Sequence, residues 1–284
     1  MKKTRVILVI VILGISFTAL VHYGFRYSRG VPVTSEELGR IVLEVPFIDK
    51  DIDLTEDISL DVWDNISPVE IKLTYQIMVL PWPKGGVPEI TVKAFHSEED
   101  IYFYFEWMDE TEDTSIGRNQ FSDACAIMFP LGDKVQPSTI MMGFLGRANI
   151  WHWKASQDKE YWSEELPENK VYSDFYYPFE EEEVFVVSKD LPKSAVNDLI
   201  AEGIGRLSSK EIQKIQGRGF WNDGTWHIVV KRSLSDTDPE LAAAFESGKK
   251  KLSAFAIWNG AKGDRGGRKS ISGWVDLKIQ GRQG

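Results

Sequence analysis

The stretch Ile101-Tyr102-Phe103-Tyr104-Phe105-Glu106-Trp107 decides the reading of the fold. It lies between Glu99-Asp100 and Asp109-Glu110 and is almost entirely aromatic or β-branched. Side chains of this kind pack well on a pleated surface, and an apolar run too short for a helix, with no polar alternate face, reads as a strand buried on both sides. Outward from it the period stays close to two. Residues 123–129, 139–144, 148–154, 183–187, 226–231, 252–258 and 272–279 each read as strands, separated by Gly, Pro, Asn and Asp clusters. Helical signals are confined to three places. Val196, Leu199, Ile200 and Ile204 recur at helical spacing within 193–207, Asp238-Pro239-Glu240 makes a cap and first turn for 241–249, and Ser208-Ser209-Lys210-Glu211 has the form of a capping box. Residues 31–69 mix prolines, acids and short apolar pairs and read as an extended approach segment. Many short strands with few helices predict a mainly β chain, a β-sandwich with a few short peripheral helices, forming a single domain over residues 31–284.

Composition narrows the function. A chain of 284 residues that is 43% hydrophobic and 27% charged can bury a substantial core, which excludes disorder. A net charge of −10 offers no basic face for displacing counterions from phosphates, so nucleic acid is excluded as a partner. Cys125 stands alone, and one cysteine makes no internal disulfide, no covalent CxxCH haem attachment and no thiolate cluster. His22, His96, His152 and His227 are scattered without any metal-binding spacing, and no nucleophile elbow or phosphate-cradling glycine loop occurs.

The first thirty residues belong to sorting. Lys2, Lys3 and Arg5 precede an unbroken apolar run of 16 residues from Val6 to Val21. A membrane-spanning helix needs about 20. No clear small-x-small cleavage site follows, so residues 1–30 read as a signal peptide or an N-terminal membrane anchor, with residues 6–21 as the point of membrane association. The remainder is then exported to the periplasm or an equivalent compartment, carrying 28 basic against 43 acidic side chains.

Two stretches stand out. One runs from Pro137 through Met141-Met142-Gly143 to Asn149-Ile150-Trp151-His152-Trp153-Lys154-Ala155; the other runs from Phe255 through Trp258-Asn259-Gly260 and a glycine-rich charged loop to Lys269 and Trp274. By composition the second is an ordinary hairpin turn. Ten tryptophans in an exported acidic chain also admit a carbohydrate-binding β-sandwich without haem, since aromatic faces stack on sugars.

Taken together, Trp63 with residues 69–81, Trp107-Met108-Asp109, residues 123–130, Met142-Gly143, residues 149–155, Asp223-Gly224-Thr225-Trp226 with Lys231-Arg232, and residues 258–274 resemble a known family. It is the gamma subunit of the type II dimethyl-sulfoxide-reductase-family molybdoenzymes, which include ethylbenzene and dimethylsulfide dehydrogenases, selenate and chlorate reductases, and nitrate reductase and nitrite oxidoreductase relatives. The resemblance implies a b-type haem held without covalent attachment, with one methionine and one lysine as axial ligands of the iron. The methionine is Met142, which directly precedes the glycine. Met141 is the other register, because adjacent strand residues point to opposite faces, and Met128 is a third choice. The lysine is Lys269, in a pocket lined by Trp258 and Trp274. His152 and His227 fall where the family pattern asks for no ligand. Lysine ligates only as the neutral amine, so its ordinary pKa of about 10.4 must fall, as burial makes it do. The resemblance further implies a non-catalytic electron-transfer subunit, partnered by a molybdenum catalytic alpha subunit and an iron–sulfur beta subunit. An external carrier such as a cytochrome c would complete the chain of transfer.

Overall fold

In the computed structural model the aromatic stretch is a strand buried on both faces, and the rest of the architecture follows from what covers each face. The structure describes residues 39–55, 58, 61–76, 85–132, 146–165, 191–203, 205–234 and 241–282. The chain divides into two compact units, Met1–Arg40 and Ile41–Gly284. In chain order the second contains strands β1 (Ile41–Val45), β2 (Val69–Tyr75), β3 (Glu89–His96), β4 (Asp100–Met108), β5 (Ala124–Pro130) and β6 (Ala148–Lys154). There follow helix α1 (Ala155–Ser163), then β7 (Val196–Ala201), β8 (Leu207–Ser209), β9 (Gln216–Asn222), β10 (Thr225–Ser233), β11 (Lys250–Trp258), β12 (Ser270–Ser272) and β13 (Val275–Ile279). A 3₁₀ turn at Asp61–Asn65 precedes β2.

The strands hydrogen-bond in the order β8-β7-β6-β5-β11-β12-β2-β3-β4-β10-β9, all antiparallel. β13 pairs with the first part of β11, and β1 lies parallel to β13 with Ile41 opposite Val275. The two ends of this path fold onto each other. Phe103 meets Trp151 with ring centroids 5.8 Å apart, Phe105 meets Phe255 at 6.0 Å and Trp107 meets Trp153 at 6.4 Å, so β4 packs across the interior on β6 and β11. Edge-to-face geometry at these distances adds to the area buried. The mainly β sandwich expected from the sequence is what forms. The other face of β4 is covered too. Tyr102 and Tyr104 join Phe95 and Val229 beneath Ile52, Leu54, Val62 and Trp63, which come from the segment ahead of β2.

Several local expectations are corrected. The described part of 193–207 holds β7 and the start of β8, not a helix. A strand buried on both faces presents Val196 to the core and Leu199 and Ile200 to other buried surfaces, and so imitates helical spacing. Residues 208–211 end β8 and bend, and residues 241–249 make turns, with Ala242 and Ala243 buried. Among the described residues α1 stands as the one α-helix, in place of several. It continues β6 without a side-chain cap, which is why no start signal announced it. Within the supposed approach segment lie β1 and the 3₁₀ turn, and residues 272–279 split at Gly273-Trp274 into β12 and β13. The expected strands at 139–144 and 183–187 and the N-terminal segment 1–30 lie outside the described residues. No helix among the described residues is long and apolar enough to cross a membrane.

Candidate functional site

Strand alternation sorts β5, β6 and β11 into two faces. Cys125, Ile127, Phe129, Trp151, Trp153, Phe255 and Ile257 go to the core. The opposite face carries Ala124, Ala126 and Met128 from β5, Ile150 and His152 from β6, and Ala256 and Trp258 from β11. The register sets Ala126 beside both His152 and Ala256, and Ala124 beside Trp258. Ala124, Ala126 and Trp258 make a separate buried cluster with Ile150 and Ala256 packed against it. Three methyl side chains in adjacent strands keep this face low, and Trp258 with His152, ring centroids 4.7 Å apart, forms a raised aromatic wall beside it.

Lys269 reaches this wall from the far arm of the loop after β11. Its Nζ sits 4.9 Å from the centroid of the Trp258 ring, and its carbonyl accepts a hydrogen bond from Gln76 N at 2.9 Å, tying it to the end of β2. Burial, with no carboxylate to offset it, pushes the Lys269 amine down to about 8. The loop between is closely bonded. Asn259 N donates to Asp264 Oδ2 at 3.1 Å, Asp264 N returns a bond to Asn259 O at 3.1 Å, and Arg265 and Arg268 exchange backbone bonds at 3.1 and 2.8 Å. The Trp258 indole donates to Gly266 O at 3.0 Å, and Tyr75 Oη donates to Asp264 Oδ1 at 2.8 Å. Gly263 and Gly266 take left-handed φ values of 74° and 51°, which is what the glycine-rich composition is for.

Of the residues singled out in the sequence, Lys269 and Trp258 come together. Trp274 is buried just past β12, but it makes no cation–π contact with Lys269 among the described residues. Met128 and His152 share the alanine face. His227 sits elsewhere, on β10, its Nδ1 2.6 Å from Tyr104 Oη and its ring stacked on Phe220, with burial pushing its pKa down. Met141 and Met142 lie outside the described residues. Two groups fall in stretches that carry the resemblance but received no role there: the alanines, and the acids Asp109 and Asp123 that grip the turn at Asn259-Gly260.

A flat, apolar, iron-bearing ring needs a low apolar wall, an aromatic flank and a donor able to give up its proton. The alanine face, Trp258 with His152, and Lys269 meet these needs, so the residues present fit a haem. The ethylbenzene dehydrogenase family matches residues 60–270, from the 3₁₀ turn to the start of β12, with the whole of this face inside the match. The chain belongs to that family.

Its relatives agree in kind. A protein described as a respiratory nitrate reductase heme subunit from Haloferax mediterranei is 26% identical over 216 residues, covering 75% of this chain and 64% of that protein. The dimethylsulfide dehydrogenase subunit gamma of Rhodovulum sulfidophilum is 24% identical over 200 residues, covering 67% and 60%. The chlorate reductase subunit gamma of Ideonella dechloratans is 20% identical over 197 residues, covering 69% and 66%. The chain thus spans somewhat less than two thirds of the length of these relatives. A solved family 9 carbohydrate-binding module from Caldicellulosiruptor kristjanssonii in complex with glucose superposes with a TM-score of 0.43 at 10% identity, over 85% of this chain and 96% of that one.

Proposed function

We propose that this chain is the haem-carrying electron-transfer subunit of an exported molybdenum oxidoreductase. It holds one b-type haem without covalent attachment, with Lys269 as one axial ligand and Met142, or Met141 in the alternate register, as the other. It passes electrons between the iron–sulfur subunit and an external carrier such as a cytochrome c, while the molybdenum subunit reads the substrate. Residues 1–30 direct it out of the cytoplasm as a signal peptide or anchor. The relatives' names, a heme subunit and two gamma subunits, support the assignment to this kind of subunit.

The observation that carries the reading is the placement of Lys269, whose Nζ lies 4.9 Å from the Trp258 ring, itself part of the cluster with Ala124 and Ala126. An ordinary lysine stays almost wholly protonated near pH 7, and one whose amine is pushed down to about 8 gives up its proton at much smaller cost. Lysine placed this way is pre-set to donate its lone pair. When bound, haem supplies one-electron chemistry, and a thioether on its other side favours the ferrous state and raises its potential. In this reading Lys269 and Met142, or Met141, would hold the iron, which would then carry electrons and leave the substrate reaction to the molybdenum subunit. Ala124, Ala126 and Ala256 exclude water from the ring, and Trp258 holds Lys269 in place.

The test is a reduced-minus-oxidised spectrum of the purified protein and of Lys269→Ala. The wild type is expected to show a ferrous low-spin b-type alpha band, which the substitution converts to a high-spin or altered low-spin form. An alpha band unchanged in Lys269→Ala, or no haem in the wild type, overturns the reading.

A further inference from the structure

The turn that separates Trp258 from Lys269 is gripped by two buried acids. Asp123, directly ahead of β5, is fully buried, and Asp109, directly after β4, is 3% exposed. Asp123 accepts three N–H groups: Gly260 N at 2.7 Å on Oδ1, and Asp113 N at 2.8 Å and Trp226 Nε1 at 3.0 Å on Oδ2. Asp109 Oδ1 accepts Asn259 Nδ2 at 2.8 Å and Thr111 N at 3.3 Å, and Asn259 Oδ1 in turn accepts Lys262 N at 2.9 Å. Gly260 is pressed so close that a Cβ there would stand 2.0 Å from Phe121 O. Neither acid belongs to an ion pair among the described residues, and burial pushes both upward, Asp123 to about 7 with the Asp109 charge adding to the effect.

Two carboxyls in a dry site are a costly way to close a hairpin, which glycine and asparagine close unaided elsewhere. What they add is position. The loop beyond Gly260 is bonded across itself at Asn259–Asp264 and Arg265–Arg268, so its near end, once fixed, sets where its far end emerges. We propose that Asp109 and Asp123 are positioning residues for the haem lysine: by clamping Asn259 and Gly260 to the β4–β5 connection, they fix how Trp258 on one arm and Lys269 on the other stand to each other. The inference rests on the haem reading above and adds to it the device that pre-forms the lysine side of the site.

The experiment uses the full chain purified with its haem, comparing Asp123→Asn, Gly260→Ala and Lys269→Ala with the wild type. An amide at position 123 must turn its own N–H groups toward N–H donors, and a methyl at position 260 displaces the turn without touching either acid. Both are expected to keep the wild-type far-ultraviolet dichroism, to shift the haem spectrum toward that of Lys269→Ala, and to weaken haem retention by about tenfold or more. Wild-type spectrum and retention in both, with Lys269→Ala altered, overturn the positioning role and leave the haem reading standing. An unaltered spectrum in Lys269→Ala as well brings down the haem reading and this inference together. Should Asp123→Asn not fold, Gly260→Ala decides. Loss of the β signature in both overturns the proposal, because the clamp would then serve the whole fold and not the site.

Discussion

At Gly219, in β9, a single hydrogen stands where any larger side chain would enter the core. An added Cβ would lie 2.3 Å from Trp153 Cζ2 and 2.5 Å from Ile228 Cδ1, both on packed side chains with nowhere to retreat. Overpacking of this kind costs about 1–3 kcal/mol, so Gly219→Ala is expected to lower the urea midpoint with an unchanged slope. Residues like this mark the limit of what a sequence displays. Lys269 was legible only through a resemblance, since a lysine in a glycine-rich loop reads by itself as solvated. Trp258 was expected beside it on the same resemblance, and the 4.9 Å contact agrees. The role of the alanines at 124, 126 and 256 was not legible: a methyl group serves a wall by what it leaves empty, and emptiness has no signature in a string of letters. The pairing of Asp109 and Asp123 with Asn259 and Gly260 joins residues more than a hundred positions apart, and local pattern carries nothing over that range.

Elements were legible where one physical term dominated. In β4 and β10 aromatic and β-branched content is high, and β5, β6 and β11 set large apolar side chains at alternate positions, Ile127 and Phe129, Trp151 and Trp153, Phe255 and Ile257. β7 misled because burial on two faces erased its alternation, and α1 was hidden because tertiary bonds, not caps, secure it. Asp158 in its first turn takes Trp153 Nε1 at 2.7 Å and Gly219 N at 3.0 Å on one oxygen, and the Trp162 indole donates to Gly217 O at 3.1 Å. Burial pushes the Asp158 carboxyl up to about 7 against an ordinary 3.8. Its folded pKa lies above its unfolded one, so its protonation stabilises the fold fully below pH 3.8, and that contribution drains away as pH rises through about 7. The slope approaches about 1.4 kcal/mol per pH unit for such a group. An amide oxygen can keep both hydrogen bonds without ionising. Asp158→Asn is therefore expected to match the wild type near pH 4 and to exceed its stability at pH 8, as read from urea midpoints across that range; a constant difference at every pH would contradict this.

The whole molecule holds together through pairings that ignore chain order. β12 and β2 join the two facing halves of the sheet through Ser270–Tyr75, Ile271–Thr74 and Ser272–Leu73, and among the described strands β13 is the one that pairs with β1. Removing residues 275–284 should strip β1 and the Lys250–Ser253 part of β11 of their neighbour and leave Leu43 and Val45 without Leu277 and Ile279 beside them. The expected result is loss of the cooperative unfolding transition and aggregation through the opened edges, checked by thermal melts followed by dichroism and light scattering. A melt like that of the full chain would show that β13 is dispensable.

The parallel seam between β1 and β13 also sets a timetable. Ile41 cannot find Val275 until the long stretch of chain between them has been made, and contacts of such long range close slowly. A growing chain therefore carries β1 without its β13 partner until the closing strand arrives, and an unpaired strand edge is an aggregation hazard for as long as it stays open.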